Sequence, residues 1–157
     1  MAPYDSLKKE SPVYIDDQSD LPEGIKGLYI ETGHTQMILL NKNLPILAEK
    51  RCVLAEELGH YYTTFGNITD QSDVRNRKHE KRARNWAYEK LVPLDKLVEA
   101  SRLGIRNRYE LAEYLEVTES FLEEALLHFR EKYGLYAAFE NYFIYFDPLG
   151  VLERFEP

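Results

Sequence analysis

The run EELGH at residues 56–60 is the clearest place in this sequence where chemistry is possible. In an α-helix, residues four apart share one stripe, so Glu56 and His60 lie one turn apart on the same side. Glu57 projects about 100° around the helix from Glu56. Because carboxylates and imidazoles bind zinc, the run offers two candidate metal ligands with a further carboxylate beside them.

An ordinary helix with a solvated acidic face contains the same spacing, so this run alone leaves both interpretations open. The chain repeats the spacing in Glu124 and His128, within EALLH, where nothing in the neighbouring sequence suggests a site. What separates the first run from the second is a carboxylate on a later helix.

Glu80 heads a helical stripe of small and apolar residues that continues through Ala83, Ala87 and Leu91, all within about 60° of it. Such a stripe predicts a face that packs inward. An ionised carboxylate directed at a packed face is costly unless it is paired, and a divalent cation is a strong partner. The alternative is that Glu80, near the helix start, faces solvent or pairs with Arg84.

Hydrophobic periodicity predicts the two helices that hold these side chains. Leu47, Leu54 and Leu58 follow helical spacing and predict a helix over about residues 46–63. A loop over about residues 63–72 then leads to a second helix over about residues 73–90. This helix stops before Pro93, because proline disfavours helical geometry in the residue before it.

The remaining elements are predicted from shorter patterns. Two apolar runs flank Thr32-Gly33-His34 and predict a β-hairpin over about residues 25–40. Residues 1–24 have poor periodicity, which predicts a loose amino terminus with room for a short strand in VYIDDQSDLPEG. Beyond Pro93 the pattern predicts three helices and then one strand or two short ones, over about residues 94–103, 108–116, 119–132 and 134–146.

Length and cysteine content narrow the class of protein. A chain of 157 residues and 18.5 kDa is sized for one domain with a real core. Cys52 is the only cysteine, which excludes an intrachain disulfide and a cysteine-based zinc knuckle and fits the cytoplasm. Without an apolar run of about 18 residues or the apolar stretch of a signal peptide, we expect a cytoplasmic protein with no membrane partner.

A net charge of -7 and a pI near 5.2 argue against nucleic acid as the main partner. The segment YELAEYLEVTESFLEEALLHF resembles a helix-turn-helix unit, but residues 110–124 hold six acids and no base. Its second helix would therefore repel phosphates. We interpret this unit as a packing module, with contact to a protein as the other option.

Six basic residues lie within ten positions at the start of the second predicted helix, where positive charge is less favoured. They form either a solvated face or a dock for an acidic partner surface. The six are Arg75, Arg77, Lys78, Lys81, Arg82 and Arg84.

Two blocks resemble the ImmA/IrrE family of zinc-dependent peptidases, which is common in prophages and integrative elements. The family pattern is HExxH on one helix and ExxAxxFAxxLLxP on the next; here LAEELGHYYTT precedes EKRARNWAYEKLVP. The second block matches through Glu80, Ala83, Trp86, Ala87, Leu91 and Pro93. The likeness includes the hairpin before the first helix, covers roughly residues 24–93 and extends weakly beyond.

The resemblance implies one α+β domain over residues 1–157 that is mainly helical. A small N-terminal β-hairpin or sheet would pack on a zincin-like pair of metal-site helices, in a core of about residues 24–93. Helix-turn-helix-like helices would fill a C-terminal part of about residues 94–157.

The resemblance also implies the site, position by position. Glu57 would be the general base and His60 and Glu80 two metal ligands, with Glu56 in the place of the family's first histidine. A carboxylate also binds zinc, but it leaves the ion less positive, so activity would be weaker or Mn²⁺ tolerated. His79 and His34 are poor substitute ligands, and we expect both to be exposed.

By resemblance, the substrate would be a helix-turn-helix repressor of a phage or mobile element, whose cleavage would release repressed genes. The first alternative is a catalytically degenerate family member that inactivates its repressor by binding alone. Direct DNA regulation through the helix-turn-helix-like segment ranks last, because that segment is acidic.

Overall fold

The computed structural model describes residues 2–63 and 73–154, and all of their side chains except those of residues 73–76. The predicted loop that follows Thr63 lies outside the described residues. The fold is α+β and mainly helical, as predicted. The chain divides into two compact units, Met1–Ala87 and Tyr88–Pro157, which are described in turn. Its organisation as one domain stays a prediction.

The first unit combines a three-stranded sheet with helices. Its elements are α1 (Pro3–Glu10), β1 (Tyr14–Ser19), β2 (Gly27–Thr32), β3 (Thr35–Asn41), α2 (Leu47–Thr63) and most of α3 (Asp73–Leu91). The strands lie in the order β1-β3-β2, with β2 and β3 antiparallel and β1 parallel to β3. The predicted hairpin, the short strand before it and both predicted helices are therefore confirmed.

The prediction of a loose amino terminus is wrong for α1. Pro3 suits the first turn of a helix, and the side chains of Tyr4 and Leu7 are buried. The Tyr4 hydroxyl and the Lys8 ammonium both donate to Asp17 on β1, at 2.8 and 3.2 Å. These contacts are made with residues distant in sequence, so poor local periodicity did not reveal them.

The second unit begins at the end of α3. It continues through α4 (Leu94–Arg102), α5 (Arg108–Leu115), α6 (Glu119–Tyr133), β4 (Tyr136–Phe139), β5 (Tyr142–Phe146) and β6 (Leu149–Glu153). The three predicted helices are confirmed. Thr118 caps α6 by accepting a hydrogen bond from the Phe121 N–H at 3.1 Å. The apolar residues of the helix-turn-helix-like segment are buried, as a packing module requires: Leu111, Ala112, Leu115, Val117, Phe121 and Leu122.

The C-terminal sheet has one strand more than predicted. Strands β4, β5 and β6 form an antiparallel sheet in that order. The sequence of β6 gave a weak signal because it is short and contains Gly150, a residue that is depleted in strands. In residues 2–63 and 73–154, no helix has both the length and the apolar character needed to cross a membrane.

Candidate metal centre

Helix α2 carries the EELGH run with its apolar residues turned inward. Leu54 and Leu58 are buried, and His60 projects from a different side of the helix. The His60 Nε2 lies 3.1 Å from the Glu80 Oε1 of α3. The His60 side chain is 16% exposed and the Glu80 side chain 49%. The structure thus brings together two of the four predicted site residues, on two different helices, at the edge of a packed face.

The contact exists because α2 and α3 approach each other with almost no side chain between them. A Cβ atom built on Gly59 would lie 2.2 Å from the carbonyl oxygen of Ala83, so only glycine permits this approach. One turn along, the ring of Tyr62 stacks on that of Trp86, with centroids 4.8 Å apart. The predicted inward stripe is confirmed, since Ala83, Ala87 and Leu91 are all buried.

Strand β2 also packs closely against α2, beside Glu57. A Cβ on Gly27 would lie 2.8 Å from Val53 Cγ1 and 3.1 Å from Glu57 Cγ. The backbone N–H of Tyr29, also on β2, donates a hydrogen bond to Glu57. Sequence reasoning missed Gly27 and Tyr29. The available signal was a glycine inside a strand, which often marks a close approach of another element.

The electrostatics of the site are set by three carboxylates around one histidine. Burial, together with the negative charges of Glu56 and Glu80, raises the pKa of Glu57 to about 7. The charge of His60 and the N–H of Tyr29 lower this pKa but do not reverse the shift. Burial also works to lower the pKa of His60, but the hydrogen bond to Glu80 and the surrounding carboxylates raise it overall. The site therefore opposes ionisation of Glu57 and favours protonation of His60.

Glu80 contacts both His60 and Arg84, and pairing with Arg84 is the alternative that the sequence left open. The hydrogen bond from His60 lowers the pKa of Glu80, and the charge of Arg84 lowers it further. A guanidinium nitrogen of Arg84 lies 3.8 Å from Glu80 Oε2, whereas His60 contacts Oε1 at 3.1 Å. The shorter contact is the one that faces the candidate site.

The donor atoms of His60 and Glu80 fit two of the positions around a metal ion. Two ligands of a tetrahedral zinc ion, with bonds of about 2.0 Å, are about 3.3 Å apart, close to the 3.1 Å between His60 Nε2 and Glu80 Oε1. However, the described residues contain no group of three His, Cys, Asp or Glu side chains that could hold a metal. Glu56 lies one turn before His60 and is half-buried. Its role as third ligand stays a prediction.

The two other histidines weighed as ligands lie outside this arrangement. His34 is exposed in the turn between β2 and β3, as expected. His79 is half-buried rather than exposed, and its Nδ1 is buried with no hydrogen-bond partner among the described residues. The expectation of an exposed His79 is therefore wrong, because the residue shares one side of α3 with the buried Ala83.

Comparison with known families agrees with this geometry. A family model described as the IrrE N-terminal-like domain, a peptidase family, matches residues 11–127. The chain belongs to this family. The match covers the hairpin, both helices of the candidate site and most of the helix-turn-helix-like segment, which confirms the resemblance and extends it in both directions. Searches among curated proteins and solved structures gave no match.

Because the chain belongs to the IrrE N-terminal-like family, peptidase chemistry is the first function to test at the His60–Glu80 contact. Peptidases of this family are generally metal-dependent. Against the HExxH pattern, this member carries Glu56 at the first ligand position while keeping a glutamate at 57 and a histidine at 60.

Proposed function

We propose that this chain is a metal-dependent endopeptidase of the cytoplasm that cleaves a helix-turn-helix repressor of a phage or mobile element. One observation carries the proposal: His60 of α2 and Glu80 of α3 are in contact at 3.1 Å beside a buried glutamate, Glu57. A histidine and carboxylates on two helices are suitable ligands for a divalent cation.

His60 and Glu80 would hold the ion, with Glu56 as third ligand. When bound, zinc supplies Lewis acidity, polarising a peptide carbonyl and making water easier to deprotonate. With Glu56 in place of a histidine, a divalent ion and its three ligands carry no net charge. This carboxylate-rich set would make a weaker Lewis acid than two histidines and one glutamate, and it would also accept Mn²⁺.

Glu57 would act as the general base. Its carboxylate takes a proton from the attacking water and later gives that proton to the leaving amine. A base works best when its pKa lies near the pH at which the enzyme operates, and burial against β2 raises the pKa of Glu57 to about 7. The hydrogen bond from the Tyr29 N–H holds one side of the carboxylate in place.

A second candidate is a member that inactivates its repressor by binding without cleavage. What favours it is that the described residues hold no complete three-ligand group and that Glu56 replaces the first histidine. This candidate predicts repressor inactivation without fragments and without sensitivity to chelators.

The test uses the chain purified without chelator and the repressor encoded beside its gene. Metal content is measured first, and repressor fragments are then sought by mass spectrometry with and without chelator. We expect Glu57→Gln to retain metal and lose cleavage, while Glu124→Gln, a substitution of the same kind in the second ExxxH run, cleaves normally. Cleavage that is unaffected by Glu57→Gln would refute the base assignment, and inactivation without fragments would favour the second candidate.

A further inference from the structure

The first half of α3 presents a strongly basic surface on an acidic protein. We call it the basic ridge; it consists of Arg77, Lys78, Lys81, Arg82 and Arg84, all of which are exposed. The whole chain carries a net charge of -7, so the ridge is opposite in sign to the rest of the molecule.

The ridge concentrates basic side chains that have no carboxylate partner in the described part of the chain. Elsewhere in the described residues, ion pairs with carboxylates are formed by Lys8, Lys26, Lys42, Lys50, Lys96, Arg108, Arg130 and Lys132, while single exposed arginines such as Arg102 form none. On the ridge, Arg84 has Glu80 at 3.8 Å. No carboxylate among the described residues forms an ion pair with Arg77, Lys78 or Arg82. In a chain with an excess of acids, three cations within six positions are left to solvent.

This arrangement opposes the stability of the helix that carries it. Arg77 and Lys81 are four residues apart, as are Lys78 and Arg82, and like charges at that spacing repel on a helix surface. A local rule that is broken in this way is often found at a functional surface.

The ridge flanks the candidate metal centre. Arg77 and Arg84 lie one turn before and one turn after Glu80, within about 60° of its stripe. A polypeptide bound at the His60–Glu80 contact therefore has cations within one helical turn of Glu80 on both sides.

We propose that the basic ridge docks an acidic segment of the protein substrate, next to the bond to be cleaved. The identification of the docked partner as the substrate rests on the proposed function. The docking of an acidic segment does not. A short acidic segment needs to neutralise only the ridge, whereas a DNA duplex, which is charged along its whole length, meets the repulsion of a chain with a net charge of -7. The charge pattern therefore favours an acidic peptide over nucleic acid.

The docking test measures binding by fluorescence anisotropy, with the full chain and three probes: labelled oligoglutamate, matched oligoglutamine and a short DNA duplex. We expect oligoglutamate to bind and oligoglutamine not to bind. Because the attraction is electrostatic, oligoglutamate affinity should fall at least about tenfold between low salt and about 0.3 M salt. The same binding is expected in Glu57→Gln, since docking needs no cleavage.

The variant Arg77→Glu/Arg82→Glu should lose oligoglutamate binding by at least about tenfold. It creates opposite-charge pairs with Lys81 and Lys78, so the helix is not weakened and lost binding does not reflect unfolding. Arg102→Glu/Arg106→Glu makes the same change in net charge at exposed arginines elsewhere and should bind normally.

Absence of oligoglutamate binding, an equal loss in both variants, or tighter binding of DNA would each overturn the docking proposal. If the repressor is cleaved equally well by the ridge variant, docking next to the cleaved bond is refuted while the proposed function stands. If oligoglutamate binds through the ridge but no repressor is cleaved, the ridge stands as a docking surface and the peptidase proposal fails.

Discussion

Helix α3 makes two contacts between a glutamate and a histidine, nine residues apart, and only their surroundings differ. Glu80 lies 3.1 Å from His60, and Glu89 lies 3.1 Å from His128. Both histidines end an ExxxH run. At His128, the Lys132 ammonium also pairs with Glu89, and the carboxylate of the run, Glu124, accepts a hydrogen bond from Tyr88 at 2.9 Å. At His60, Glu80 also has Arg84 at 3.8 Å, and the charges of Glu56 and Glu57 act on the imidazole.

The two clusters differ in the direction in which a carboxyl pKa is shifted. Burial opposes ionisation of Glu89, but hydrogen bonds from Lys132 and His128 lower its pKa overall. Burial raises the pKa of Glu57, and the charges of Glu56 and Glu80 raise it further against the charge of His60. The His128 cluster thus favours an ionised glutamate, whereas the His60 cluster contains a glutamate whose ionisation is opposed.

The largest expected effect separates the two histidines by function. We expect His60→Ala to lose bound metal and at least about a hundredfold in peptidase activity, because it removes a ligand of the proposed site. His128→Ala should keep both and instead lose about 1 to 2 kcal/mol of folding free energy, since Glu89 loses a partner. Metal analysis, repressor cleavage and chemical denaturation measure the three quantities. Equal metal loss in the two variants would contradict the comparison.

The residue before each histidine gives the next test. Gly59 touches the Ala83 backbone, whereas Leu127, before His128, is 58% exposed. Helix propensity alone predicts that Gly59→Ala stabilises by about 1 kcal/mol. Because the added Cβ would force α2 and α3 apart, we expect Gly59→Ala instead to destabilise the fold by about 2 kcal/mol net and to weaken metal binding. Leu127→Ala should change stability by less than about 0.5 kcal/mol, and denaturant titration checks both.

Sequence spacing was enough to predict the His60–Glu80 contact, because both residues sit on regular helices and Glu80 heads a stripe of buried small residues. The missing side chain of Gly59, which allows a close approach, can likewise be read directly from the sequence. The partner that uses this approach, Ala83, became known only from the packing of the two helices.

What the sequence could not reveal depends on contacts between distant residues. Nothing near Glu124 and His128 in the sequence suggested partners, yet Glu89 lies 39 positions before His128 and contacts it. The hydrogen bond from Tyr29 to Glu57 joins a strand to a helix in the same way. Local periodicity carries no information on such pairs, because they depend on how whole elements pack.

Opposite pKa shifts predict opposite effects of the same substitution. In metal-free protein, the native state opposes ionisation of Glu57, so it loses stability as pH rises from the ordinary pKa of 4.5 towards about 7. Glu57→Gln should therefore stabilise at pH 8 by roughly 2 kcal/mol, with little gain near pH 4.5. Thermal unfolding with chelator across this pH range gives the comparison.

Glu89→Gln is the matched change in the second cluster. Because the pKa of Glu89 is lowered, its stabilising contribution is present above the ordinary pKa of a glutamate and is lost in acid. The substitution should cost about 1 kcal/mol at neutral pH, a modest figure because the side chain is 39% exposed. A stability loss at pH 8 for both variants would show that the two clusters do not differ in charge balance.

The last test concerns the residue at the head of the EELGH run. Glu56→His restores the HExxH pattern and should tighten zinc binding by about tenfold, because imidazole is a stronger ligand for zinc than a carboxylate that must also be desolvated. Glu56→Gln removes the carboxylate without adding an imidazole and should not tighten zinc binding. Competition with a chromophoric chelator measures both affinities. If Glu56→His leaves zinc affinity unchanged, position 56 does not touch the ion, and any metal at this site is held by His60 and Glu80 without it.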